Sequence, residues 1–89
     1  MKALTLYYVP TCAFSAATMS FLMLRGADVQ LVNLEQHPEA KETVKQVADG
    51  QMKTPTIEVE GEWKVAPPLT ELKALLERWG LPAQAAPHK

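Results

Sequence analysis

Apolar and polar residues alternate from Lys2 to Tyr8, with Leu4 and Leu6 set between Thr5 and Tyr7, and Pro10 then removes a backbone donor; the pattern predicts a first strand over 2–8. From Ala13 to Arg25 there is neither Pro nor Gly. Phe14, Ala17, Phe21 and Leu24 recur there at helical spacing, which predicts a helix with that set as its apolar stripe and Gly26 just past its end. Val29 to Leu34 is short and β-branched, polar only at Gln30 and Asn33, and is expected to be a buried strand parallel to the first, reached by a right-handed crossover. A second, short helix is predicted from Pro38, which suits the first helical position. Its stripe is Ala40, Val44 and Val47, and Asp49-Gly50 stops it. Thr56 to Val59 and Glu62 to Val65, separated by Glu60-Gly61, have the pattern of a hairpin whose turn uses the positive φ open to Gly61. After Pro67-Pro68, Leu69, Leu72, Leu75, Leu76 and Trp79 form one face of a last helix, ended by Gly80 and Pro82. The order βαβαββα implies an α/β domain with a four-stranded mixed sheet and helices on both faces.

At 89 residues one domain is expected, here over 1–82, with 83–89 as a loose, flexible tail. Hydrophobic residues make up 47% and charged residues 21%, enough to build a core without disorder. A formal net charge of -1 removes the broad attraction that a nucleic-acid or anionic-membrane binder uses, so neither partner is expected. The apolar run Phe21 to Leu24 falls far short of a bilayer span, and Ala3 to Val9 is too short for a secretory core. With a single cysteine no internal disulfide can form, and a cytoplasmic setting is expected.

That cysteine, Cys12, lies between a strand end and a helix start, behind Pro10-Thr11. A free thiol is only a few per cent ionised at neutral pH, and the thiolate is the nucleophile. Making it mostly ionised asks for roughly 2 to 3 kcal/mol. A helix amino terminus supplies about 0.3 to 2, so backbone amides or the Ser15 hydroxyl would have to add to it. Ser15 stands where a second thiol would resolve a mixed disulfide, and since it cannot do so, an outside thiol must. The bland alternative is a small buried hydrophobe, the common fate of free cysteine. Thr54-Pro55 opens the third strand; an ordinary trans proline is the default for an isolated pair, and its conjunction with Cys12 favours a cis bond that offers backbone to an extended ligand.

Pro10-Thr11-Cys12-Ala13-Phe14-Ser15, the spacing to Gly50-Gln51-Met52-Lys53-Thr54-Pro55, the hairpin and the closing helix together resemble the glutaredoxin family of the thioredoxin superfamily, from Lys2 to about Trp79. Cys12 to Ser15 is similar to the monothiol C-x-x-S motif, with Ala13 where glycine is usual. The resemblance implies a thioredoxin-like fold and thiol-disulfide oxidoreductase activity, with Cys12 as nucleophile assisted by Ser15. It further implies glutathione held by Thr11, by the backbone of Thr54 beside Pro55, and near Glu71. Glutathione or protein disulfides would be the partners of a monomer. It also leaves open a [2Fe-2S] carrier, in which Cys12 of two chains and two glutathione molecules would be the ligands, and a redox-inactive binding module on the same scaffold. Two departures from the family stand out. Val9 replaces the usual lysine before the cysteine, and Pro67-Pro68 replaces a glycine pair ahead of the last helix.

The remaining residues have plainer readings. Tyr7, Tyr8 and Phe14 are expected in the core more than in the wall of a site, Lys53 in solvent unless it replaces the missing cation, and Trp79 as an anchor for the last helix. His37 is expected to cap the second helix, and neither it nor His88 pairs with Cys12 at a zinc-site spacing, so no metal site within one chain is expected.

Overall fold

A computed structural model describes residues 4–80, so Lys2, Pro82 and the expected tail lie outside the described residues. Strands β1 (Leu4–Tyr8), β2 (Val29–Asn33), β3 (Thr56–Val59) and β4 (Glu62–Val65) form one sheet in the order β2-β1-β3-β4. The first pair is parallel and the other two are antiparallel. Helices α1 (Ala13–Leu24), α2 (Pro38–Val47) and α3 (Leu69–Trp79) complete the expected βαβαββα order. The fold is α/β and thioredoxin-like.

Alternation along β1 directs Leu4 and Leu6 to one face, where Ile57 and Val59 of β3 join them. Leu22 from α1 and Leu72, Leu75, Leu76 and Trp79 from α3 close this core. Val44 of α2 and Ala48 at its end are buried outside that cluster. Tyr7 packs on Trp63 at 5.4 Å between ring centroids, and burial, then the Glu58 carboxylate, raises its phenol above the ordinary value. Tyr8 packs against the core. Trp79 anchors α3 as expected: its indole Nε1 donates to Glu62 Oε1 at 3.0 Å, and Arg78 pairs with the other oxygen of the same carboxylate. At the hairpin turn Glu60 and Gly61 both have positive φ, 50° and 88°, the pairing that a two-residue turn between twisted strands needs.

Three expectations change. The face that α1 turns to the sheet is Ser15, Thr18 and Leu22, while Leu24 is 88% exposed and Phe14 37%. Apolar residues surround this helix, so spacing alone does not select its buried face. Its rotation is fixed by where β1 delivers Cys12, and small side chains at 15 and 18 leave the helix room beside the sheet. β2 is parallel to β1 as expected but is an edge strand rather than a buried one, with Gln30 and Leu31 exposed. His37 occupies the amino-cap position of α2, yet its side chain caps nothing; its Nδ1 lies 3.4 Å from a Glu39 carboxylate oxygen instead.

Candidate functional site

The turn after β1 carries Cys12 to the start of α1. Pro10 presets its own φ, Cys12 N–H closes the turn on Val9 C=O at 3.0 Å, and Cys12 C=O then accepts the first helical bond from Ala16 N–H at 3.1 Å. Cys12 is thus the amino-cap residue, with extended backbone (φ -89°, ψ 116°) and a half-exposed side chain. The unpaired amides of the first helical turn point past it.

Several donors converge on the sulfur and bring the Cys12 pKa down to about 7. The Ser15 hydroxyl contributes most, followed by the Thr54 hydroxyl and the Ser15 backbone amide; desolvation opposes them, and the Phe14 amide adds a smaller lowering. Ser15 Oγ is buried and has no hydrogen-bond partner among the described residues. The neutral thiol therefore leaves it unsatisfied, and its influence is felt when the sulfur carries charge, because an ionised acceptor draws a donor that a thiol does not.

The loop before β3 faces this sulfur. Cys12 Sγ lies 4.0 Å from Thr54 C=O, at the outer reach of a sulfur hydrogen bond, and the Thr54-Pro55 peptide bond is cis. The loop is held by Thr56 Oγ1 donating to Lys53 C=O at 2.9 Å and by Ala66 N–H donating to Pro55 C=O at 2.7 Å. Thr54 N–H has no acceptor among the described residues and is free for a ligand. Cys12, Ser15, Thr54 and Pro55 are thus brought together. Thr11 is exposed in the turn, and Glu71 is exposed in the first turn of α3, where no described contact joins it to the sulfur.

Phe14, in the first turn of α1, and Met52, in the loop before β3, are each 37% exposed. Phe14 was expected in the core more than in the wall of a site; Cys12 at the helix cap turns it outward. Lys53 is exposed, and no charged residue occurs between Val9 and Ser15 or between Val65 and Leu69. Among the described residues no three His, Cys, Asp or Glu side chains are grouped to hold a metal ion, and no helix is long and apolar enough to cross a membrane.

Solved structures share this architecture. The glutaredoxin-like NrdH-redoxin of Escherichia coli superposes with a TM-score of 0.69 at 23% identity, over 82% of this chain and 93% of that one. A glutaredoxin of Archaeoglobus fulgidus gives 0.72 at 21% identity, over 85% and 87%. A Plasmodium falciparum thioredoxin gives 0.61 at 11% identity, over 88% and 70%. At these identities the likeness shows the fold alone. No curated protein sequence matches. The glutaredoxin family model matches residues 4–64, which include Cys12, Ser15, Thr54 and Pro55, and the chain belongs to the glutaredoxin family.

Proposed function

We propose that this protein is a glutathione-linked thiol-disulfide oxidoreductase of the one-cysteine type. The observation that carries the reading is a half-exposed Cys12 at the cap of α1 whose pKa lies at about 7, which leaves about half of it ionised at neutral pH. An inert structural cysteine would be buried in apolar surroundings and pushed the other way. The Cys12 thiolate attacks the glutathione sulfur of a mixed disulfide. The new S–S bond joins Cys12 to glutathione, the old one breaks, and its electron pair leaves on the substrate sulfur, which takes a proton. The chain has no second cysteine, so a second glutathione thiolate attacks the Cys12 adduct, releasing glutathione disulfide and restoring the thiolate. The free Thr54 N–H, and the Thr54 C=O that faces the sulfur at 4.0 Å, suit the backbone of glutathione's cysteine, and a monomer suffices.

The cluster-carrier reading uses the same sulfur, with Cys12 of two chains and two glutathione molecules as the ligands. Glutathione-dependent reduction of hydroxyethyl disulfide, through the mixed disulfide it forms with glutathione, tests the exchange reading. Cys12→Ser is expected to fall to the uncatalysed rate. Equal rates for the two proteins would leave only a binding module.

A further inference from the structure

The flank of α1 turned away from Phe14 carries a second feature. There the end of β1, the turn after it and one side of the helix enclose a groove of about 380 Å³, lined by Tyr8, Val9, Pro10, Ala16, Met19 and Ser20. At about 100° per residue, Ala16, Met19 and Ser20 share one side of the helix, and Phe14 and Phe21 lie on the other. Its lining includes none of Cys12, Ser15, Thr54 and Pro55, so the groove is distinct from the meeting point of Cys12 with Thr54. It is nevertheless tied to the sulfur, because Val9 and Pro10 belong to the turn that Cys12 N–H closes on Val9 C=O.

The chemistry of the lining is restrictive. None of its six residues is charged. The Tyr8 and Ser20 hydroxyls have no hydrogen-bond partner among the described residues. An apolar hollow with a few polar groups at its edge is the usual form of a small binding site, and its volume stands at the lower end of the range, suited to one or two side chains. A charged group placed there would lose water without gaining a counter-ion. Glutathione ends in charge on both sides of its cysteine, so it gains nothing from the groove. A longer segment can cross Cys12, meet Thr54 on one flank and set a side chain into the hollow on the other.

We propose that this groove seats an apolar side chain of a protein substrate, close in sequence to the sulfur that reacts at Cys12, on an extended and uncharged segment. This rests on Cys12 being the nucleophile and adds a substrate class to that reading. In the step concerned, the thiolate attacks the substrate cysteine's sulfur in a disulfide. Cys12 becomes joined to the substrate, and the displaced sulfur leaves with the electron pair and takes a proton.

Three mixed disulfides with thionitrobenzoate test it, each read by release of the coloured thiolate: a blocked peptide with leucines around its cysteine, the same peptide with aspartates in their place, and glutathione. The leucine peptide is expected to react about tenfold faster than the other two, the scale of burying one large apolar side chain. Filling the groove with Ala16→Phe and Ser20→Phe, both at exposed positions, is expected to abolish that ratio. If the double variant fails to fold, Ser20→Glu is expected to remove the preference in its place. A leucine peptide no faster than the aspartate one, or a filled groove that slows all three by the same factor, would overturn the proposal. Release from all three by Cys12→Ser at the parent rate would instead defeat the nucleophile reading.

Discussion

Ser15 changes its contribution to the fold with the charge on Cys12. Beside a protonated thiol it is a buried hydroxyl without a partner, a burden of about 1 to 3 kcal/mol; beside a thiolate it is the leading donor to an anion. Two outcomes follow from that asymmetry. Alkylation of Cys12 by iodoacetamide should be half-maximal near pH 7, and Ser15→Ala should move the midpoint upward, since the largest lowering influence is gone. A midpoint that does not move would assign the shift to the backbone amides and Thr54. Stability carries the same signature. Cys12 is an acid whose folded pKa, about 7, is below its ordinary 9.0, so the stabilisation from its ionised form is complete above pH 9 and lost as pH falls through 7. Melting curves should therefore show Ser15→Ala less stable than the parent at alkaline pH. At about pH 5.5 it should be equal or more stable, because the unsatisfied hydroxyl has been removed at no cost to an anion.

At the scale of elements, the rotation of α1 is the point on which spacing and structure part. Leu22→Ala should cost about 2 to 5 kcal/mol, as deletion from a closed core does, whereas Leu24→Ala should change stability by less than about 0.5. Chemical denaturation of the two variants decides it; equal losses would restore the stripe read from Phe14, Ala17, Phe21 and Leu24. α3 was legible because polar residues alternate with its leucines, so only one face can be buried. The hairpin was legible because Glu60-Gly61 separates two runs of alternating apolar and polar residues by two residues. In α1 the apolar residues run round the axis, and small polar Ser15 and Thr18 face inward, a choice set by the crossover and not by hydropathy. β2 misled for a related reason: a strand of β-branched residues fits a central or an edge position equally well, and the order of strands is a property of the whole sheet. The candidate site was legible at Cys12, Ser15 and Thr54-Pro55, where turn chemistry and helix capping are local. The groove behind Pro10 is lined by residues 8 to 20 alone, and it was not legible because it depends on which side α1 turns to the sheet.

The whole molecule is nearly neutral, and so is its site. The formal net charge is -1, no charged residue occurs from Val9 to Ser15 or from Val65 to Leu69, and Lys53 before Thr54 is one exposed cation. A substrate approaching Cys12 thus meets no field that extends beyond a Debye length, about 10 Å at 0.1 M salt. Enzymes that gather charged substrates by a focused field lose an order of magnitude or more in association rate as salt rises. Here the second-order rate of Cys12 with the anionic glutathione adduct should change by less than about twofold between roughly 10 and 300 mM salt. Val9→Lys, which places a cation three residues before the sulfur, should raise the low-salt rate by about two- to fivefold, the scale of one exposed charge, and make it salt-dependent. A parent rate that already falls tenfold with salt would mean that a positive field reaches Cys12 from elsewhere in the chain, and selection by apolar contact would then give way to selection by charge.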